Sequence, residues 1–248
     1  MKKLILSGAV SLLTLGLIVH LLRRGLTEQI GLWPLLRDVS VPLLLLYIGC
    51  QLAQTFFRSE RYRSLLRGCG EPEVPGHWHS FLATTARNAM VDLLPARTGE
   101  LGYLAIMNRG YKVRADNCLG AMAVSFILDM IALVLVLALA LTAPWNRQAA
   151  SWPLLLAGMV GVLVISAVGA TGLFAFLPPM VAWLGARAGR VARLTAGRRL
   201  LAFLERLARA IRAMRAPRLL LGALGLSLGV RLFKYGGLYA AFLAVVDP

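Results

Sequence analysis

Residues that build metal centres and disulfide frameworks are scarce in this sequence. The three cysteines, Cys50, Cys69 and Cys118, are odd in number and lack metal-like spacing, so each reads as a small apolar residue. The three histidines, His20, His77 and His79, form no HExxH-type pattern, and the last two flank Trp78 in a loop-like region. No metal is expected. A nucleophile motif and a Gly-rich nucleotide loop are also absent, so the sequence offers no catalytic residues and calls for no cofactor. Acidic residues are few, 11 Asp and Glu against 27 Lys and Arg, for a formal net charge of +16. Because these basic residues are strung between long apolar runs, nucleic acid is not the expected partner; anionic lipid headgroups are.

What the chain has in quantity is apolar surface. Hydrophobic residues make up 58% of the 248 positions and the mean hydropathy is +0.72, too apolar for a soluble domain. The expected fold is an all-α membrane protein, a single polytopic domain over 1–248 with about five transmembrane helices at 4–22, 41–57, 118–143, 154–177 and 219–246. The first run follows Lys2 and Lys3, has no small-x-small cleavage site and precedes Arg23 and Arg24, so it reads as an uncleaved helix. Arg58 to His79, broken by Gly68, Gly70, Pro72 and Pro75, reads as a loop. Between 180 and 218 ten arginines face one acid, Glu205, while Leu200, Leu204, Leu207, Ile211 and Met214 recur at helical spacing. That pattern predicts a basic amphipathic helix lying on the cytoplasmic leaflet. The positive-inside rule then puts the N terminus in the cytoplasm, the loops at Arg58 to Arg67 and Arg109 to Arg114 inside, and Arg147 outside.

The stretch from 80 to 108 is different because it is polar where its neighbours are plain spans. Arg87, Asn88, Asp92, Arg97 and Glu100 crowd into it, with Pro95 and Gly99 as helix breaks. Both its flanks are expected inside, and it is too short for two crossings, so a re-entrant hairpin or a pair of half-helices is the economical solution. Arg87, Asn88 and Arg97 suit an anionic headgroup, since a guanidinium offers a planar fork of donors. Asp92 and Glu100 suit charge balance or a proton relay. Asp129, isolated inside the span at 118–143, calls for a partner, and an arginine of the basic loops is the expected one. In the last span Arg231, roughly 18 Å along the axis, and Lys234 are further headgroup candidates. Gly225 and Gly229 stand at GxxxG spacing.

The run N-x5-LPARTGEL from Asn88, followed about thirty residues later by Asp129 in an apolar span, resembles the flippase-like membrane proteins related to the transmembrane domain of lysylphosphatidylglycerol synthase. Two positions differ from the family's habit: Gly102 and Tyr103 stand where an arginine is frequent, and Ser125 and Phe126 where Glu-Arg is frequent. The resemblance implies a protein of the bacterial cytoplasmic (inner) membrane that binds or moves an anionic phospholipid or lipid-linked headgroup between leaflets. Two alternatives stay open at this point: an integral-membrane transferase acting on a lipid-linked substrate, and a non-transporting subunit. Homo-oligomerisation is open too.

Overall fold

A computed structural model describes residues 40–93, 99–141, 152–176, 179–183 and 195–246. The described residues are helical throughout apart from their turns, and four helices are long and apolar enough to cross a membrane. The protein is an all-α membrane protein. The expected first span at 4–22, Pro95 and Arg97 lie outside the described residues.

Helix α1, Val41–Gly68, begins with Pro42 in its first turn, where a missing amide donor costs nothing. It runs eleven residues past the predicted end at 57, which corrects the reading of Arg58 onward as a loop. The reason is local: from Arg58 to Arg67 no residue breaks a helix, and arginine is a good helix former. Termination comes at Cys69 and at Gly70, whose φ of 75° is the left-handed conformation that glycine adopts without strain. The loop shrinks to the residues before α2, His77–Leu93.

Helix α3, Gly99–Ala105, continues into a π-helical turn over Ile106–Gly110 and packs back on α2. A Cβ on Gly99 would run into the backbone of Met90 and Val91, so the two arms cross in direct main-chain contact. Neither α2 nor the segment 99–110 is among the long apolar helices, and the two pack together as the arms of a short helical hairpin.

Helix α4, Ala115–Leu141, is the central span, touched by α1, by α5 (Trp152–Thr171), by α6 (Thr195–Ala213) and by α7 (Pro217–Val246). The most extensive contact is between α1 and α7, which run antiparallel in constant register. Gly68 meets Leu219, Phe57 meets Gly229, Cys50 meets Gly237, and the Ser40 amide donates to the carbonyl of Ala244. The close approaches are therefore at Gly229 and Gly237, while a Cβ on Gly225 would meet nothing within 4 Å, so the GxxxG spacing is not what joins the helices.

Helix α6 packs part of its apolar face on protein: Ile211, and Met214 just beyond the helix, are buried in the core, and Met214, Ala210 and Ile211 close over Gly120 of α4. An amphipathic face finds protein as readily as membrane, and here a span supplies the partner surface. Across the fold the polarity is inverted relative to a soluble domain, with Leu45, Ile165 and Val168 exposed and Ser59, Arg61, Thr84 and Ser227 buried. Lipid as the outer solvent explains both halves of that inversion.

Candidate functional site

Polar residues on α1 recur at helical steps, Gln54, Thr55, Arg58, Arg61 and Tyr62, and so share one face turned into the bundle. Arg61, 0% exposed, donates from Nη1 to Oδ1 of Asp129 at 2.6 Å and from Nη2 to Oδ2 at 2.9 Å, and Nη1 also reaches the Ser227 hydroxyl at 2.6 Å. Arg231, one turn beyond Ser227 on α7, donates to the main-chain carbonyl of Asp129 at 3.2 Å. Three helices thus meet at one ion pair. Asp129 lies 14 residues into its span, roughly 21 Å from the start at 1.5 Å per residue.

A second ion pair closes the hairpin. Nη2 of Arg87 donates to Oε1 of Glu100 at 2.6 Å, across the two arms. Asn88 faces α1: its Oδ1 accepts from Arg58 Nη1 at 2.7 Å and from Arg87 Nη1 at 3.4 Å, and its Nδ2 donates to the Thr55 hydroxyl at 3.4 Å. Tyr62 stands between the two pairs, its ring centroid 5.7 Å from the Arg61 guanidinium and 5.8 Å from that of Arg87, with Tyr103 packed on it at 5.3 Å.

Within this cluster four guanidiniums, those of Arg58, Arg61, Arg87 and Arg231, stand against two carboxylates, Asp129 and Glu100. Among the described residues neither Arg58 nor Arg231 has a carboxylate within ion-pair distance. The Nε donors of Arg61, Arg87 and Arg231 are buried without a hydrogen-bond partner among the described residues. Such orphaned charge-bearing donors are costly unless an anion completes them.

Of the sequence-predicted site residues, the structure brings together Arg87, Asn88, Glu100, Asp129 and Arg231. Asp92 is exposed and makes no ion pair with a described residue; Arg97, its expected partner, lies outside the described residues. Lys234 is half-buried, one turn past Arg231, also with no ion pair among the described residues. Gly99 sits at the crossing of the hairpin arms. Sequence reasoning missed Arg58, Arg61, Thr55, Tyr62 and Ser227 as site residues. The polar stripe on α1 could have revealed the first four, since its helical spacing continues past position 57 without a breaker.

Further ion pairs lie elsewhere. Glu71 accepts from Asn117 at 2.5 Å, Asp116 pairs with Arg114 at 2.8 Å and with Arg206 at 3.6 Å, and Glu60 pairs with Arg63 and His77. These pairs gather at one end of the bundle, where α1 ends and α4 and α7 begin. Burial, together with the nearby carboxylates of Glu71 and Asp116, pushes the Cys69 thiol there up to about 12. No group of three or more His, Cys, Asp and Glu side chains among the described residues is placed to hold a metal ion.

Compared with known proteins, residues 4–248 match the family described as the lysylphosphatidylglycerol synthase TM region. No curated protein and no solved structure matches the chain.

Proposed function

The chain belongs to the lysylphosphatidylglycerol synthase transmembrane family, and from that premise we propose that it is a flippase-like protein that binds the anionic headgroup of a membrane lipid and moves it between leaflets. The observation that carries this reading is the surplus of guanidinium over carboxylate inside a bundle of apolar helices, with three buried Nε donors left open. A buried cation without a counter-ion costs several kcal/mol, and in a bilayer the anion at hand is a lipid phosphate. Arginine forks match phosphate oxygens in number and plane.

Arg87 is the mobile member of the set in this reading. Its single carboxylate bond, to Glu100, ties the hairpin shut, and a phosphate that takes over that bond lets the arms part. Arg61 is the fixed member, since Asp129 holds it with two bonds and Ser227 with a third. Headgroup transfer then needs a second access state, which the hairpin supplies by swinging against a clamped α1, α4 and α7. The end carrying the arginines of α6 is the cytoplasmic one by the positive-inside rule, in a cytoplasmic-type membrane.

The test is a leaflet-sidedness assay in proteoliposomes with labelled anionic phospholipid and labelled polyprenyl phosphate, comparing wild type with Arg87→Gln and Arg58→Gln. Faster crossing of one lipid with wild type than with either folded variant is the expected result. Equal rates in all three, at the rate of empty liposomes, would remove transport from the account.

A further inference from the structure

Two kinds of glycine occur on the spans. Gly229 and Gly237 admit a neighbouring helix: a Cβ at Gly229 would stand 2.6 Å from the Phe57 ring, and one at Gly237 would stand 3.0 Å from Cys50 Cβ. Near the end of α5 the opposite holds. A Cβ on Gly172 would meet nothing within 4 Å, and one on Gly169 only Ile127, at 3.9 Å. These two glycines do not draw helices together; they leave space between them. Beyond Thr171 the backbone also loosens into a π-helical turn over Gly172–Phe176, an irregularity often found at functional positions.

The space they leave is a groove of about 660 Å³ bounded by α3, α4 and the end of α5. Met122, Phe126 and Ile127 line it from one face of α4, Gly169 from α5, Gly172 from the π-helical turn that follows, and Glu100 from α3. Glu100 is its one ionisable lining residue, and that same carboxylate binds Arg87 through Oε1, with Oε2 unpaired among the described residues. The apolar groove and the arginine cluster therefore share a wall. Its size falls within the range of about 300–1,000 Å³ usual for small-molecule sites.

We infer that this groove holds one acyl chain of the lipid whose headgroup sits on the arginine cluster, with Glu100 marking the join between chain and head. This rests on the headgroup reading above. Charge and continuity select the occupant. A polar or charged partner segment would leave its groups unsatisfied against Met122, Phe126 and Ile127, whereas a hydrocarbon chain matches them, and the adjoining guanidiniums match the phosphate that such a chain carries. A lipid bound in this way is held at both ends, which keeps the headgroup beside Arg87 while the hairpin moves.

The experiment uses the full chain in phosphocholine nanodiscs doped with an anionic diacyl phospholipid bearing a diazirine in mid-chain, and in a parallel set with a phosphocholine lipid bearing the same chain. Peptides are mapped after illumination, with Ile165 and Val168, exposed on the lipid-facing side of α5, as the reference surface. The expected result is enrichment of adducts at Met122 and Phe126 over that reference. Gly172→Leu, whose Cβ would meet nothing within 4 Å and whose side chain extends into the groove, should lower the enrichment by at least about fivefold, the low end of the effect of overfilling an apolar site, with an unchanged thermal midpoint. If Gly172→Leu does not fold, Gly169→Leu serves the same purpose. Labelling of Met122 no stronger than at Ile165, or unmoved by the plug, overturns the inference. Arg87→Gln separates the two readings: it should abolish the preference for the anionic probe while chain labelling of the groove persists. Plug-sensitive labelling with an undiminished anionic preference in Arg87→Gln would leave the chain slot standing and remove the headgroup from the arginines.

Discussion

Arg61 of α1 holds both carboxylate oxygens of Asp129 of α4, at 2.6 and 2.9 Å, across 68 residues of sequence and inside the bundle. Neither group could face lipid alone, so each makes the position of the other tolerable. The pair acts as a clamp for the whole α1, α4 and α7 assembly, because Ser227 and Arg231 close on it from α7.

Breaking one side of that clamp should be more damaging than removing it. Asp129→Leu leaves the buried guanidinium of Arg61 without its counter-ion and is expected to destabilise by about 3–5 kcal/mol. The double variant Arg61→Leu with Asp129→Leu should recover most of that loss. Thermal midpoints in detergent for the two single variants and the double variant measure it. A double variant no better than the worse single one would show that the pair contributes more than charge compensation.

Arg58 should behave in the opposite sense. It is partly buried, bonded to Asn88 and without a carboxylate partner among the described residues, so Arg58→Leu is predicted to raise the thermal midpoint of lipid-free protein by the equivalent of about 1 kcal/mol. The same change should weaken retention of anionic lipid through purification, read by native mass spectrometry. A variant that loses stability and keeps its lipid would refute the assignment of Arg58 to a headgroup site.

Gly99→Ala should open the hairpin. The added methyl group meets the backbone of Met90 and Val91, which cannot step aside as a side chain can, and overpacking of this kind costs about 1–3 kcal/mol or more. Gly222→Ala, whose Cβ faces open space on α7, should instead be neutral or stabilising by up to about 1 kcal/mol from helix propensity. Thermal midpoints of the two variants are the readout.

Gly229→Ala should part α1 from α7 because its Cβ would press on the Phe57 ring at 2.6 Å. The atoms met are Cδ1, Cε1 and Cγ of that ring, so Phe57→Ala in the same chain should remove the clash and make the Gly229→Ala change neutral in that background. Gly225→Ala, one turn away and facing open space, should show no loss.

Cys69 should resist thiol reagents. With its pKa pushed up to about 12, chiefly by burial, the thiolate fraction at pH 8 falls roughly 10³-fold below that of a free cysteine. Maleimide labelling of a Cys50→Ser, Cys118→Ala chain should be slow in the native state and fast after denaturation. The folded pKa exceeds the unfolded one, so the neutral thiol is what folding favours. Stability is then unaffected below about pH 8.5 and declines as the pH rises from there toward 12.

Much of the architecture was legible in composition and hydropathy. The runs at 41–57, 118–143, 154–177 and 219–246 correspond to helices α1, α4, α5 and α7, since a bilayer leaves an apolar run of that length little choice but a helix that satisfies its own backbone. The polar stretch 80–108 stood out from the plain spans, and its described parts belong to the short packed arms rather than to a long apolar helix. The helical reach of α1 past Phe57 was not recovered, because Arg58 to Arg67 looks like a loop whenever arginines are assumed to seek water. In this fold Arg61 and Arg63 are buried, Arg61 on Asp129 and Ser227 and Arg63 on Glu60 and the Pro75 carbonyl, so the helix that local propensity favours does not need water at these positions.

Sequence alone determined the solvent of this protein and, with it, the class of fold, since mean hydropathy and run length act locally and need no partner. Tertiary structure alone decided the pairings: that Arg61 rather than another described basic residue meets the Asp129 carboxylate, that Arg87 turns to Glu100, and that Ile211 of α6 packs over Gly120 of α4. An ion pair is chosen by the register and crossing of helices far apart in the chain, and no local pattern of residues carries that information.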